Sequence, residues 1–123
     1  MKFHLATAPG VNLFSGYGDG YVAVNGVRHE TSLVLMPERI VAPWDAPAFE
    51  ALGPAHFEFL RGLGAEVVLL GTGARLRFPP ASLQRIILQA GTGLETMDAM
   101  AACRTYNILA AEGRKVAAAI LLR

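Results

Sequence analysis

The chain has 123 residues, of which 53 % are hydrophobic and 17 % are charged, and its formal net charge is +1. This length and hydrophobicity are typical of one folded domain with its own core and exclude intrinsic disorder. The near-neutral charge predicts no nucleic-acid partner and no polybasic membrane contact. No apolar run reaches the ~18 residues of a membrane-spanning helix, so we expect no membrane span.

Cysteine usage and the first residues bear on the compartment. Cys103 is the only cysteine, so the chain cannot form an internal disulfide. Such a composition is typical of a reducing compartment. Residues 1–7 alternate like a strand and show neither the apolar core of a secretory signal nor an Arg-rich leader. We therefore expect a cytoplasmic protein.

The first third of the chain predicts short antiparallel strands. Asn25-Gly26 separates two alternating runs, and this pair is a strong hairpin signal because both residues tolerate a positive φ. Pro37 and Pro43 indicate strand ends or sheet edges. The predicted strands cover residues 2–7, 12–17, 21–24, 27–30, 32–36 and 40–44.

The rest of the chain predicts alternating helices and strands. Pro54 begins a short helix within residues 45–64, since its missing N–H is tolerated in a first helical turn. Gly91 and Gly113 stand where left-handed helix caps are expected. The later elements are a strand at 66–70, a short strand or extended segment at 74–78, a helix at 81–90, a short strand at 93–95, a helix at 97–112 and a strand at 114–122.

These elements predict an α/β fold in one domain that spans residues 1–123. A mixed central sheet contains the β-α-β-α-β C-terminal half, and the N-terminal antiparallel meander packs as a further layer. The last strand is apolar on both faces and is therefore expected at the centre of the sheet. We expect right-handed crossovers, helices on one side of the sheet and the N-terminal strands over another.

The tripeptide Gly-Thr-Gly occurs twice, at residues 71–73 and 91–93. A dinucleotide fingerprint needs a further glycine at the sixth position, where the two copies have Leu76 and Thr96. Neither copy is followed by the Gly-Lys-Ser/Thr of a phosphate loop. We interpret the first copy as a bend at a strand end and the second as a helix cap.

A ligand site at the first copy is the alternative interpretation. In open α/β sheets, ligands bind at the carboxyl ends of strands, where bare backbone N–H groups and nearby arginines would suit a small anion. The candidate pocket comprises Gly71, Thr72, Gly73, Arg75, Asp98, Arg104 and Asn107, with Arg77 nearby.

The long predicted helix has little polar surface, so we expect the sheet or another chain to cover most of it. Asp98 lies in its predicted first turn, where a carboxylate complements the helix dipole. Arg104 and Asn107 interrupt the apolar surface. Arg104 is expected to be buried and to bind backbone carbonyls or the carboxylate of Asp98, Glu95 or Glu112, with an anion or partner contact as the alternative. We interpret Cys103 as a buried, inert thiol, with a redox role as the alternative.

No catalytic residue, metal site or cofactor is predicted. The three histidines, His4, His29 and His56, are far apart and lack metal-ligand spacing. No serine stands in a nucleophile elbow.

The second half of the chain resembles a known family. The stretches VVLLGTGARLRFPP and GTGLETMDAMAACRTYNILAAEGRKVAAAIL, with the segment around Trp44, are similar to a family of domains of unknown function catalogued under the number 498. Its members include small bacterial and archaeal proteins, the mitochondrial complex I assembly factor 3 and an adipogenesis-associated animal protein. The matching positions are Gly71, Thr72, Gly73, Glu95, Met97, Asp98, Ala102, Arg104, Tyr106, Asn107, Glu112 and Gly113.

The resemblance implies a single α/β domain and supplies no reaction. Because the mitochondrial member acts by binding other assembly proteins, we expect a non-catalytic protein-interaction module that helps a respiratory or membrane complex to assemble. Its protein partner is unidentified, and a homo-oligomer stays open. The alternative is a small-ligand protein or an enzyme of unknown reaction, with a pocket near Gly71-Thr72-Gly73.

Overall fold

The computed structural model describes residues 10–123, so the strand predicted at residues 2–7 lies outside the described residues. The described part forms two sheets, three α-helices and a short 3₁₀ helix. The elements are β1 (Phe14–Gly18), β2 (Tyr21–Val24), β3 (Val27–His29), β4 (Leu33–Met36), β5 (Arg39–Val41), a 3₁₀ helix (Phe49–Ala51), α1 (Pro54–Arg61), β6 (Val67–Thr72), α2 (Ala81–Leu88), β7 (Gly93–Met97), α3 (Ala99–Ala111) and β8 (Val116–Leu121).

The N-terminal strands form a small antiparallel sheet in the order β1-β2-β3. The predicted hairpin is confirmed: Asn25 and Gly26 join β2 to β3 with φ angles of 50° and 84°. The Asn25 side chain also accepts a hydrogen bond from the Leu13 N–H at 3.2 Å and donates one to Asn12 Oδ1 at 2.9 Å. The asparagine therefore makes the turn and ties it to the segment that enters β1.

The large sheet has the strand order β5-β4-β8-β6-β7. Strands β6, β7 and β8 are parallel to one another, whereas β4 runs antiparallel to both β5 and β8. Strand β8 is buried along its whole length, which confirms the predicted central position. Its side chains alternate between two cores: Ala117 and Ala119 face one, and Ala118 and Ile120 face the other.

The predicted fold class is confirmed, but the expectation that all helices lie on one side of the sheet is wrong. Helices α1 and α2 cover one face, whereas α3 shares the other face with the small sheet. Strand order explains the difference, because the chain steps outward from β6 to β7 and then back across β6 to β8. Two right-handed crossovers that step in opposite directions must place their helices on opposite faces.

The segment at residues 74–78, predicted as a short strand or extended segment, forms no strand. The Thr72 hydroxyl donates a hydrogen bond to the Arg75 carbonyl oxygen at 2.7 Å and accepts one from the Arg77 N–H at 3.0 Å. These bonds fold the chain back on the end of β6. The Arg75 carbonyl and the Arg77 N–H are therefore engaged by Thr72 and not by a neighbouring strand.

The helix boundaries follow the sequence signals. Pro54 is the first residue of α1, as predicted. Gly91 and Gly113 have φ angles of 78° and 80°, the left-handed conformation expected of helix caps. Within residues 10–123, none of the helices combines the length and the apolar character needed to cross a membrane.

Helix α3 lies unusually close to the large sheet at Gly71. A Cβ atom at this position would come within 3.0 Å of the Ala102 Cβ and the Ile120 Cδ1, and within 3.1 Å of the Ala99 Cα. Only glycine on β6 and alanine on α3 leave room for this approach. Gly71 therefore acts in helix-sheet packing.

The other side of α3 is fastened to β1 by hydrogen bonds. Asn107 Oδ1 accepts from the Phe14 N–H at 2.9 Å, and Asn107 Nδ2 donates to the Phe14 carbonyl oxygen at 2.8 Å. The Tyr106 hydroxyl donates to the Asn12 carbonyl oxygen at 2.9 Å. The Tyr106 and Phe14 rings meet edge to face, with centroids 5.3 Å apart. Two side chains of α3 thus fix the position of the small sheet.

We expect Asn107→Leu to lower the free energy of unfolding by about 2–4 kcal/mol, because the substitution leaves the buried N–H and C=O of Phe14 without partners. Arg104→Ala is the matched control on the same helix. It removes a bond from an exposed side chain and should change stability by less than about 1 kcal/mol. Urea denaturation of both variants measures the difference; equal losses would contradict the role assigned to Asn107.

Candidate functional site

A cavity of about 90 Å³ opens where the first Gly-Thr-Gly loop meets the β1–β2 turn and the start of α3. It lies at the carboxyl ends of β6 and β8, which is the edge where open α/β sheets bind ligands. The lining residues are Tyr17, Gly18, Asp19, Gly20, Tyr21, Val22, Gly73, Ala74, Ala99, Met100 and Leu122.

The aromatic residues of the β1–β2 turn form one wall of this cavity. The Tyr17 hydroxyl accepts a hydrogen bond from Arg104 Nη1 at 2.9 Å. The Tyr21 ring lies directly over Gly18, since a Cβ there would stand 2.3 Å from the Tyr21 Cε1. The Arg28 guanidinium carbon is 3.9 Å from the centre of the Tyr21 ring. These contacts hold the turn in place.

Of the first Gly-Thr-Gly, only Gly73 lines the cavity. Gly73 has a φ of 87°, a conformation that favours glycine, and its carbonyl oxygen accepts a hydrogen bond from the Ala99 N–H at 2.8 Å. Gly71 is covered by α3, and the Thr72 side chain is engaged within its own loop. The geometry of this loop agrees with its interpretation as a structural bend.

The structure places Asp98 and Asn107 in structural roles away from the cavity lining. Asp98 lies one residue before α3 and not in its first turn, and its Oδ1 accepts a hydrogen bond from the Ala101 N–H at 2.9 Å. A carboxylate at this position satisfies a free donor of the helix end. Asn107 is buried against β1. Asp98 directly precedes Ala99, whose N–H bonds to Gly73, but its carboxylate is engaged at the helix end, and the Asn107 side chain binds β1 instead of Gly73.

The candidate arginines also lie outside the lining. Arg75 is exposed. The Arg77 guanidinium contacts the Glu50 carboxylate at 2.9 Å, donates to the Thr72 carbonyl oxygen at 3.0 Å and lies 4.5 Å from the Phe49 ring centre. Arg77 therefore anchors the loop after β6 to the 3₁₀ helix.

The electrostatics of the cavity differ from those expected for an anion site. Among the lining residues of the described chain, Asp19 alone is charged, and most of the others are apolar or aromatic. An anion would meet a carboxylate and no arginine of the lining. The walls are better suited to an apolar group or to a cation that contacts Asp19 and the tyrosine rings.

Cys103 is fully buried on the inner side of α3. Burial is the main cause that raises the pKa of this thiol to about 12; the Arg104 charge lowers the pKa and the Asp98 carboxylate raises it, both by less than burial does. The reactive thiolate is therefore scarce at neutral pH. This environment agrees with the interpretation of Cys103 as an inert thiol. Within residues 10–123, no group of three His, Cys, Asp or Glu side chains is arranged to hold a metal ion.

A wider groove of about 430 Å³ lies at the opposite end of the sheet. Val116 and Gly64 place it near the amino ends of β8 and β6, and Glu38, Arg114 and Lys115 line it with charges of both signs. Arg114 also faces Glu66 at 3.6 Å. The groove lies away from the strand ends at which α/β sheets bind ligands.

The pocket residues proposed from the sequence do not include Tyr17 and Tyr21 of the β1–β2 turn, which line the cavity. The strands predicted at residues 12–17 and 21–24 place Tyr17 and Tyr21 on either side of a turn, but they do not predict that this turn reaches the loop after β6. The sequence signal that could have indicated this turn is YGDGY, in which two tyrosines flank a glycine-rich bend. Nothing in the sequence alone brings this bend to Gly73, because residues about fifty positions apart meet only through the packing of α3.

Solved structures and curated proteins are similar to this chain. A crystal structure of a Bordetella parapertussis protein matches with a TM-score of 0.86 at 40 % identity, covering 94 % of this chain and 98 % of that one. The "13 kDa major membrane protein" of Francisella tularensis subsp. holarctica is 27 % identical over 88 % of this chain and 89 % of that protein.

A longer relative carries a functional name. The NADH dehydrogenase (ubiquinone) 1 alpha subcomplex assembly factor 3 of Bos taurus is 32 % identical over 83 % of this chain, which spans only 55 % of that protein. The sequence profile of a family described as "Protein of unknown function (DUF498/DUF598)" matches residues 14–121. This match includes both sheets and all three helices, and the chain belongs to that family.

Proposed function

We propose that the chain is a non-catalytic protein-interaction module that assists the assembly of a respiratory or other membrane complex. The observation that supports this proposal is that the polar candidate residues are bonded within the protein, whereas large apolar side chains are exposed. The polar candidates Thr72, Asp98 and Asn107 bind the backbone of the protein itself. By contrast, several large apolar side chains are exposed, namely Val27, Ile40, Leu76, Phe78, Leu88, Met100 and Ile108.

Exposed apolar side chains that share one face, as Met100 and Ile108 do on α3, favour binding to other proteins. The assembly-factor name of the bovine relative supports the same role and suggests the class of complex. The Francisella relative is named a membrane protein, which is compatible with a role for this chain in the assembly of a membrane complex. We place the module in the cytoplasm, where a lone buried thiol stays reduced.

Deletion of the gene in the source organism tests the assembly role. We expect membranes of the deletion strain to contain less fully assembled NADH dehydrogenase on native gels and to accumulate a smaller subassembly. Expression of the wild-type chain should restore the complex. A tagged chain should be recovered from the cytoplasmic fraction, crosslinked to a subunit or assembly protein of the same complex.

Two results would count against the assembly role. One is an unchanged amount of every respiratory complex in the deletion strain. The other is a tagged chain that is repeatedly purified alone after crosslinking. A deletion strain that expresses the destabilised Asn107→Leu variant serves as the matched control. The amount of fully assembled complex in this strain should fall in proportion to the loss of folded variant.

A second candidate function is the binding of a small ligand, by a binding protein or an enzyme, in the cavity beside Gly73. The observation that favours it is the position of the cavity at the carboxyl ends of β6 and β8. Its volume of about 90 Å³ is small beside the ~300–1,000 Å³ of most ligand clefts, so only a small molecule or one chemical group would fit.

A thermal-shift screen with small apolar, cationic and anionic metabolites tests this candidate. A ligand that binds only the folded protein raises its melting temperature. Ala74→Phe should fill the cavity and abolish the rise, whereas Ala55→Phe, on the exposed side of α1, should leave it intact. The candidate fails if no compound raises the melting temperature or if both variants respond alike.

A further inference from the structure

The outward face of α3 lacks the polar surface of an ordinary exposed helix. Met100, Arg104 and Ile108 are four residues apart, and each of the three is exposed. Met100 retains 41 % and Ile108 60 % of its accessible surface. Of the thirteen residues of α3, Arg104 alone carries a charge. A helix face in contact with water normally carries several charged side chains, so this face is typical of an interface.

The charge of Arg104 is not neutralised within the described part of the protein. Its guanidinium donates to the Tyr17 hydroxyl and lies 5.9 Å from the Tyr17 ring centre, and both groups are uncharged. No carboxylate of residues 10–123 forms an ion pair with it. Arg104 is thus held in position by a neutral neighbour and keeps a full positive charge between two apolar side chains.

The cavity continues this face at its amino-terminal end. Met100 belongs both to the cavity lining and to the exposed row on α3. From Met100 to Ile108 the helix rises by about 12 Å, slightly more than two helical turns. A binding partner on this face would therefore meet a small apolar socket, then a positive charge, then an apolar side chain.

We infer that the row Met100–Arg104–Ile108 is a docking surface for a helix of another protein. The partner helix carries an Asp or Glu between two apolar residues, each about four positions away. One apolar residue enters the cavity beside Met100, the carboxylate pairs with Arg104, and the other apolar residue packs on Ile108. Arginine is well suited to the central contact because its guanidinium binds a carboxylate through two hydrogen bonds. This inference rests on the proposed function and names the surface and the partner.

A second copy of the chain is not a suitable partner for the row Met100–Arg104–Ile108. In a two-fold contact between two α3 helices centred on this row, Arg104 would face Arg104 of the other copy. Two like charges would then be removed from water without a counter-charge, which is strongly unfavourable. Charge complementarity therefore favours a different protein with an acidic residue at the centre of its contact.

Site-specific crosslinking in the source cell tests the inference. A diazirine amino acid is placed at Met100, at Ile108 and, as a control on α2, at the equally exposed Leu88. We expect the two α3 positions to crosslink one and the same protein, within a helical segment that carries the apolar–acidic–apolar pattern. The Leu88 position should not crosslink that segment.

Charge reversal tests the central contact with the purified pair. Arg104→Glu should raise the Kd at least tenfold, and Arg104→Lys should raise it less. Replacement of the partner's acidic residue by Arg should restore binding to the Arg104→Glu variant. Arg85→Glu, an exposed arginine on α2, should leave the Kd unchanged. Equal melting temperatures establish that the variants remain folded.

Several outcomes would overturn the inference. They are α3 crosslinks to a second copy only, a partner segment without an acidic residue, and an Arg104→Glu variant that binds as well as the wild type. If a partner crosslinks at Leu88 but not at either α3 position, the inference fails and the interaction module stands. If none of the three positions crosslinks any protein, both fail.

Discussion

The hydrogen bonds between Asn107 and Phe14 are the interaction on which the rest of the structure depends. A single amide side chain satisfies both backbone groups of a residue ninety-three positions earlier in the chain. The bonds fix α3 against the small sheet, while Gly71 allows the opposite side of α3 to touch the large sheet. Helix α3 is therefore packed between the two sheets. Its orientation there determines which of its residues face outward.

This arrangement separates structural from accessible side chains. Asn107, Tyr106 and Cys103 point into the core, and Asp98 caps the end of the helix. The residues left on the outside are the apolar row around Arg104 and the rim of the cavity beside Gly73. A helix that is fixed on two sides can present such a row without losing its own stability, because its burial on the inner faces already supplies the packing.

The sequence predicted the parts of the fold that depend on local chemistry. The Asn25-Gly26 turn, the caps at Gly91 and Gly113 and the central apolar strand follow from conformational freedom and hydrophobicity over a few residues. The placement of the helices on two faces was not predicted, because it depends on the strand order, which no local pattern encodes. Of the pocket residues proposed from the sequence, Gly73 lines the cavity because it stands at a strand end. Tyr17 and Tyr21 line it too, but they reach it only through long-range packing, which no local pattern encodes.

The central claim is that Asn107 holds the small sheet to α3 as part of the cooperative core. Native-state hydrogen exchange of the Phe14 amide tests it most directly, since this N–H is bonded to a side chain of α3 and not to a neighbouring strand. The account predicts that the Phe14 amide exchanges only through global unfolding, with a protection free energy equal to that of amides in β8. Exchange of the Phe14 amide at a much lower free energy, while β8 stays protected, would contradict it.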